Sequence, residues 1–309
     1  MPLVSVVIPV RDDPAGVQAV TAALERQTLP REQFEVIVAV DGGSPPAVPA
    51  GMRIDAGPPR NSYAARNRAA RAAQGGVLAF IDADCVPAPD WLARGLAAIE
   101  GADIVAGAVR FTVEGRLTPW ALIDIEHNLD QEAAVRRNVA VTANLFMRRE
   151  TFDAIGGFDE TLPSGSDHDA VSRAASAGAV LRYADEAGVR HPARSGAREM
   201  LANRWFTLSH GAARWARDGG PGAPGGKLLL IPFVSGVAQR AMEGRPLTRL
   251  DPRRLAFSGV QPTRIQELAA VLVNILVVSP VTSAARIAGT VRGARVRRRA
   301  GRTAAAVGR

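Results

Sequence analysis

The feature that most constrains this chain is an apolar run that ends in two aspartates. Residues 77–81 are all apolar, and Asp82 and Asp84 come just after them. A short run without polar residues is typical of a central strand that is buried on both faces of a sheet. Ligands bind at the carboxyl ends of such strands in open α/β sheets. The pattern therefore predicts a functional site at Asp82 and Asp84.

Two interpretations of this aspartate pair are open. Carboxylates brought close together repel each other, and a divalent cation removes the repulsion. Mg²⁺ and Mn²⁺ take oxygen ligands and join carboxylates to substrate phosphates, so the pair can mark a metal-diphosphate site. In the other interpretation the aspartates cap a turn before Pro87, which is the commoner role of an isolated Asp-x-Asp. The rest of the chain decides between the two.

The charge of the chain is concentrated near its end. The net charge is +8, and residues 268–309 contain eight arginines and no acidic residue. The preceding part therefore carries almost no net charge, which argues against a nucleic-acid-binding face. The single cysteine, Cys85, excludes an internal disulfide and indicates a reducing compartment. Because the first residues lack the pattern of a signal peptide, we expect a cytoplasmic location.

Strands and helices alternate from the start of the chain. Residues 4–9 and 34–40 are β-rich apolar runs. Asp13-Pro14 predicts a helix between them, and Asn61-Ser62 predicts a second helix that leads to the central strand. This order predicts a parallel sheet. Because no Gly-x-Gly-x-x-Gly follows the first strand, the sequence argues against a dinucleotide-binding dehydrogenase.

Aspartates follow three of these predicted strands. Asp12, Asp41 and Asp84 are expected to meet at one edge of the sheet, where they would contact the ribose, base and metal of a bound nucleotide. Each of them taken alone is more often a turn or cap residue. Their shared position at strand ends favours a nucleotide site.

Ordered motifs in this sequence resemble those of the family-two glycosyltransferases, which are inverting nucleotide-sugar enzymes with a GT-A type fold. The resemblance covers roughly residues 3 to 215. The matching segments are residues 4–12, Val40-Asp41-Gly42-Gly43-Ser44, Ala65-Arg66-Asn67, Asp82-Ala83-Asp84, Gly156-Gly157-Phe158-Asp159-Glu160 and Gly165-Ser166-Asp167-His168-Asp169.

The resemblance implies a fold and a reaction. The fold is α/β of GT-A type, with a Rossmann-like, mostly parallel mixed sheet flanked by helices. The reaction is inverting, metal-dependent transfer of a sugar from a nucleoside diphosphate to a hydroxyl acceptor, which is a glycan, a lipid-linked molecule or a small molecule. The implied cofactor is Mn²⁺ or Mg²⁺, and no nucleic acid partner is expected.

The resemblance also implies site residues. Asp167 is expected to be the catalytic base. The metal is expected to bind Asp82, Asp84 and His191, and the acceptor side is expected to include Asn144 and Asp169. The residues implied to bind the nucleotide-sugar are Pro9, Arg11, Asp12, Asp41, Arg66, Asn67 and Asp82.

The sequence departs from the family pattern at three places. Gly42 replaces the second aspartate of the nucleotide turn, so base selectivity is left open, and Ser166 replaces a glutamate beside the expected base. Asp167 and Asp169 remain available for proton transfer. Residues 201–205 contain the Arg-Trp of the processive polymerases but not their glutamine, which argues against processive synthesis.

The sequence predicts a glycosyltransferase domain over residues 1–218, with a nucleotide-binding half at 1–100 and an acceptor half at 101–218. A helical region is expected at 219–291, and its apolar segment at 268–285 approaches the length of a membrane span. The basic tail at 292–309 is expected to be disordered. Residues 227–237 offer a second apolar surface.

The apolar C-terminal segment has two interpretations. Residues 268–299 are expected to contact the inner face of the cell membrane, in plane or re-entrant, because a single crossing would oppose the positive-inside tendency. The other interpretation is a buried helix or a partner interface.

Two other functions are weighed against sugar transfer. One is a sugar nucleotidyltransferase, which would need a glycine-rich triphosphate loop after the first strand that this sequence lacks. The other is a membrane-surface scaffold that binds sugar nucleotides without turnover, which would be favoured if Asp167 were dispensable.

Overall fold

The computed structural model describes residues 2–218, 250 and 252–307, with side chains described for residues 2–214, 250 and 252–296. The chain divides into two compact units. Unit 1 contains Met1–Thr112 and Leu129–Pro192, and unit 2 contains Val113–Asn128 and Ala193–Arg309. The division falls earlier than the boundary predicted after residue 218. The reason is that the long helix Ala197–Asp218 belongs to the helical unit 2.

Unit 1 is built on a mixed sheet with the strand order β3-β2-β1-β4-β7-β6-β8-β5. Strands β1 to β4 are parallel where they pair, and β7 runs antiparallel to both β4 and β6. The strands are β1 Val4–Val10, β2 Phe34–Asp41, β3 Arg53–Gly57, β4 Val77–Ile81, β5 Val86–Pro87, β6 Ile104–Thr112, β7 Asn144–Arg148 and β8 Leu181–Pro192. This arrangement confirms the predicted mixed α/β sheet.

Helices cover both faces of this sheet. The helices of unit 1 are α1 Pro14–Leu24, α2 Ser62–Ala72, α3 Trp91–Ile99, α5 Gln131–Val135, α6 Arg149–Ala154 and α7 Ser166–Ser176, and α4 Pro119–His127 belongs to unit 2. Side chains from α1 and α3 pack in the core on one face, and side chains from α2, α6 and α7 pack on the other. Strand β4 is buried along its whole length, with one core on each face. The position of its carboxyl end is therefore set by the packing on both faces.

The predicted helix starts at Asp13 and Asn61 are confirmed. The Asp13 side chain accepts a hydrogen bond from the Gly16 amide at 2.9 Å, and the Asn61 side chain accepts one from the Ala64 amide at 2.9 Å. Each bond satisfies an amide that has no partner within its helix. These caps set where α1 and α2 begin, next to the strand ends that carry the candidate site.

Unit 2 is helical in its described part. Its helices after α4 are α8 Ala197–Asp218, α9 Pro252–Phe257, α10 Arg264–Val273 and α11 Ser279–Val307, and the π-helical turn Asn274–Val278 joins α10 to α11. The prediction of disorder after residue 292 was wrong for residues 292–307, which are helical. Alanine and arginine favour helix, and this tail continues a helix that is already formed. The predicted apolar surface at 227–237 lies outside the described residues.

Candidate active site

Three strand ends meet at one edge of the unit 1 sheet, because β1 lies between β2 and β4. Asp41 ends β2 and is 4% exposed. The Arg11 guanidinium donates to the Asp41 carboxylate, which also accepts the Arg60 amide at 2.7 Å. Asp12 is exposed and has a φ of 53°. Gly43 has a φ of 78°, a left-handed conformation that side chains rarely adopt, so this turn favours the glycine of the motif.

Some of the residues predicted to bind nucleotide lie at this edge of the sheet, and others do not. Arg11, Asp12 and Asp41 lie together at this edge, as predicted. Pro9 does not, because it is buried inside β1, where it pairs with Ala39.

Asp82 lies at the end of β4 and pairs with Arg66 from α2. The Nη2 of Arg66 is 2.5 Å from Oδ1 of Asp82, and the Arg66 side chain is almost fully buried. The Asp82 side chain keeps 34% of its surface exposed. The pKa of Asp82 is raised by loss of solvent around the carboxylate. Arg66 opposes this rise, and the charge of Asp84 adds to it.

Asn67 is not part of the exposed site, contrary to the prediction that it binds nucleotide. It is 5% exposed. Its amide donates to the Phe158 carbonyl at 2.8 Å and accepts the Phe158 amide at 2.9 Å. Such a paired contact satisfies a buried amide, so Asn67 fixes the Gly156–Glu160 turn against α2.

Asp84 and His191 face each other. The Nε2 of His191, at the end of β8, is 3.2 Å from Oδ2 of Asp84, and its Nδ1 is 2.7 Å from the Pro192 carbonyl oxygen. Because a carbonyl only accepts, Nδ1 carries a proton, and Nε2 lies at hydrogen-bond distance from the Asp84 carboxylate. An imidazolium would donate from Nε2 to Asp84, whereas a neutral ring with its lone pair on Nε2 could share a cation with that carboxylate.

This pair fits a divalent cation as two of its ligands. Adjacent ligands in the octahedral shell of Mg²⁺ are about 3 Å apart, which matches the separation of Nε2 and Oδ2. Among the described residues, no group of three or more His, Cys, Asp and Glu side chains is arranged to hold a metal ion. The predicted ligand set of Asp82, Asp84 and His191 stays a prediction; here Asp84 pairs with His191, and Asp82 pairs with Arg66.

Asp167 is held from three directions at the start of α7. Its Oδ1 accepts the Tyr63 hydroxyl at 3.2 Å and the His168 amide at 2.9 Å, and its Oδ2 accepts the Thr142 amide at 3.2 Å. Thr142 lies just before β7, whose residue Asn144 pairs with Ile81 at the end of β4, so the bond to Thr142 places Asp167 near Asp82. The charge of Asp167 also contributes to the raised pKa of Asp82. The structure thus brings the predicted base to the same edge as the aspartate pair.

Asp169 lies on the same helix but has another role from the one predicted. Its carboxylate pairs with Arg173 at 2.8 Å. The Arg173 guanidinium also donates to the Ile155 and Gly157 carbonyls. Asp169 therefore orients an arginine that fixes the turn after α6, which is a structural contact and does not support a place on the acceptor side.

Asn144 is in the core, contrary to its predicted place on the acceptor side. It is fully buried. Its oxygen accepts the Trp91 indole N–H at 2.8 Å, and its nitrogen donates to the Ala187 and Ala108 carbonyls at 2.7 and 2.9 Å. A side chain whose donors and acceptor are used in this way is unavailable to a substrate. Asn144 connects β7 to α3 and to the neighbouring strands.

Tyr63 belongs to the site but was not among the residues predicted from the sequence. It lies three residues before Arg66 on α2, with the Arg66 guanidinium 5.5 Å from the centroid of its ring. The i, i+3 spacing from the arginine of the Ala-Arg-Asn motif was a usable signal, because such residues lie on one helix face. The contact with Asp167, which is 104 residues away, could not be read from the chain.

Unit 2 carries an exposed apolar stripe. Ile265, Leu268, Leu272 and Leu276 are 79%, 40%, 57% and 70% exposed, and their spacing places them on one side of a helix. In the described part of the chain, one helix, Arg264–Val296, is long and apolar enough to cross a membrane.

Comparison with known proteins points to one family. A family model described as Glycosyl transferase family 2 matches residues 5–156. Glycosyltransferase AglE of Haloferax volcanii is 36% identical over 208 residues, which cover 63% of this chain and 68% of that protein. The pre-mycofactocin glycosyltransferase of Mycobacterium tuberculosis is 31% identical over 276 residues. That match covers 82% of this chain and 57% of the relative's length.

Solved structures show the same fold. The mannosyltransferase PcManGT from Pyrobaculum calidifontis, in complex with GDP-Man and Mn²⁺, has a TM-score of 0.59 at 18% identity, with 94% of this chain and 87% of that chain covered. TarS 1-349 of S. aureus, in complex with UDP, has a TM-score of 0.51 at 13% identity, with 98% and 92% covered.

Proposed function

Because the chain belongs to glycosyl transferase family 2 and is a glycosyltransferase, we propose that it moves a sugar from a nucleoside diphosphate to a hydroxyl acceptor with inversion. The observation that carries the proposal is the position of Asp167. This carboxylate accepts the amide of Thr142, which lies just before β7, and β7 pairs with the end of β4 next to Asp82. A base and a diphosphate site placed side by side are what one direct displacement requires.

Asp167 is the base in this proposal. An ionised carboxylate has about four acceptor sites, and three are used by Tyr63, His168 and Thr142. The remaining site is on Oδ2. The acceptor hydroxyl donates its proton there as its oxygen bonds to the anomeric carbon, and the bond from that carbon to the diphosphate breaks with its electron pair leaving on the diphosphate. One displacement of this kind inverts the anomeric centre.

Asp84 and His191 would hold a divalent cation. Mg²⁺ in proteins is usually bound by one or two carboxylates together with substrate phosphates, so two protein ligands at 3.2 Å from each other are sufficient. When bound, the cation offsets negative charge on the diphosphate. The Mn²⁺ in the complex of PcManGT, which has the same fold, supports a divalent cation at this site.

The nucleotide would lie over the ends of β1 and β2. Asp12 is exposed there, and Arg11 is half exposed while it pairs with Asp41. Exposed carboxylate and guanidinium groups suit the hydroxyls of ribose and the edge of a base. The related structures contain GDP-Man and UDP, so both guanine and uracil nucleotides are the ligands to test first.

We also propose that unit 2 contacts a lipid surface. Isolated exposed apolar side chains are common, but a continuous stripe on one helix face indicates an interaction site. The arginines at 286, 292 and 295 follow the stripe on the same run of helix and are exposed. Apolar and basic groups together suit an anionic membrane surface, on which an amphipathic helix lies in plane.

The lipid proposal is tested by vesicle sedimentation. Replacing both Leu272 and Leu276 with serine should weaken binding to vesicles of phosphatidylcholine and phosphatidylglycerol by about tenfold. The control is Val180→Ser, which removes a half-exposed apolar side chain from unit 1. Equal binding by the double variant and the wild type would contradict the lipid contact.

The sugar-transfer proposal is tested with water as the acceptor. GDP-mannose and UDP-glucose are incubated with the protein and Mn²⁺, and release of the nucleoside diphosphate is followed. Asp167→Asn should lower the release rate by about 100-fold while donor binding persists, because general bases contribute on this scale. The control is Asp153→Asn, an exposed carboxylate on α6. Equal release by Asp167→Asn and the wild type would contradict the base assignment, whereas donor binding without any release by the wild type would favour the sugar-nucleotide-binding scaffold.

A further inference from the structure

Tyr63 is a buried tyrosine whose hydroxyl lies between two groups at the start of α7. It is 7% exposed. The Gly165 amide donates to the Tyr63 oxygen at 3.1 Å, and the hydroxyl is 3.2 Å from Oδ1 of Asp167. Because the phenol oxygen already accepts from Gly165, its own hydrogen is directed to the carboxylate. The hydrogen bond therefore has a fixed direction, from Tyr63 to Asp167.

The Tyr63 hydroxyl stays protonated in these surroundings. Burial and the negative charge of Asp167 both raise the pKa of Tyr63, and burial contributes most. A group that keeps its proton throughout the working range of an enzyme acts as a donor. Tyr63 thus holds the Asp167 carboxylate without competing with it for the role of base.

The aromatic ring of Tyr63 also contacts neighbouring side chains on two sides. On one side the Arg66 guanidinium lies 5.5 Å from the ring centroid, and Arg66 in turn binds Asp82. On another side the ring packs against Phe158, with centroids 5.7 Å apart. A contiguous series of contacts consequently joins Asp82 to Asp167 through Arg66 and Tyr63.

We propose that Tyr63 is a positioning residue for sugar transfer: its hydroxyl and the Thr142 amide together fix the rotation of the Asp167 carboxylate, so that Oδ2 keeps one acceptor site toward the incoming hydroxyl. The proposal rests on Asp167 as the base. It predicts a loss in turnover rather than in donor binding, because Tyr63 touches the base and contacts Asp82 only through Arg66. Small changes in the orientation of a reacting group lower the rate strongly.

The variant that tests this role is Tyr63→Phe, which removes the hydroxyl and keeps the ring over Arg66. With GDP-mannose and UDP-glucose as donors and water as acceptor, kcat should fall about tenfold while the donor KM stays within about twofold. The matched control is Tyr183→Phe, because the Tyr183 hydroxyl also donates to an aspartate, Asp185, at 3.0 Å, but lies at an exposed position. Its kcat should be that of the wild type.

A double-mutant cycle separates positioning from folding. In the Asp167→Asn background, Tyr63→Phe should not lower the residual rate further, because the group that it positions is gone. An equal loss in both backgrounds would mean that Tyr63 acts on the fold alone and would overturn the proposal. A wild-type kcat for Tyr63→Phe, beside a large loss for Asp167→Asn, would also overturn it while leaving the base in place. Full activity of Asp167→Asn would remove the base assignment and the proposal together.

Discussion

The Arg66 guanidinium is 2.5 Å from the Asp82 carboxylate, and it is the cation that most opposes the raised pKa of that group. Asp84 and Asp167 add negative charge at the same place. Three carboxylates therefore lie close together at this edge of the sheet, and the positive charge of Arg66 reduces the repulsion among them.

Replacing Arg66 with glutamine should destabilise the protein. Breaking a buried ion pair leaves an uncompensated charge, which costs 3 kcal/mol or more when both partners are buried. Because Asp82 is a third exposed, we expect the free energy of unfolding to fall by about 2 kcal/mol, measured by urea denaturation. The control is Arg94→Gln, which removes an exposed i, i+4 pair with Asp90 and should cost less than about 0.5 kcal/mol. Equal losses for the two variants would contradict the role of Arg66.

Asn144→Ala should act on stability and not on substrate binding. The change leaves the Trp91 indole N–H and two buried carbonyls without their partner. Each unsatisfied buried group of this kind costs about 1–3 kcal/mol, so we expect the loss of three partners to lower the free energy of unfolding by about 3 kcal/mol or more. The control is Gln18→Ala, an exposed amide on α1. A stable Asn144→Ala protein with impaired transfer would restore the acceptor-side prediction.

Gly95→Ala should destabilise unit 1, although alanine favours helix. The added Cβ would overlap the ring of Phe146, which is fully buried in β7. Overpacking of this kind costs about 1–3 kcal/mol. The same change at Gly211 on α8 meets no atom within 4 Å and should stabilise by about 0.5–1 kcal/mol. The melting temperatures of the two variants, measured by thermal unfolding, test both predictions. A Gly95→Ala protein more stable than the wild type would contradict the close packing of α3 on β7.

The sequence could predict the site residues that directly follow a strand, because the end of the strand determines where they lie. An apolar run fixes where β4 is buried, and the residues just beyond it, Asp82 and Asp84, must then emerge at the edge of the sheet. Asp12 and Asp41 follow in the same way, because β1 lies beside both β2 and β4. These placements depend on local pattern and on parallel order, and both are visible in the chain.

The parts that sequence missed depend on contacts between distant residues. Asn67 belongs to a motif and Asn144 was implied on the acceptor side, but their amides bond to groups 91 and 43 residues away in the chain. Whether a polar side chain faces a substrate or fills a buried network is decided by such partners. The helical end of the chain was missed for a different reason, since its charge favours disorder whereas its alanines and arginines favour helix.

We propose above that Asp84 and His191 form a cation-dependent site for a nucleoside diphosphate. The most direct test is the melting temperature of the protein with UDP or GDP, each with and without Mn²⁺, because a ligand that binds the folded state raises it. We predict a rise with at least one nucleotide that requires Mn²⁺, is lost in Asp84→Asn and His191→Ala, and is kept in Asp185→Asn. A rise that needs no Mn²⁺, or that survives Asp84→Asn, would contradict the claim.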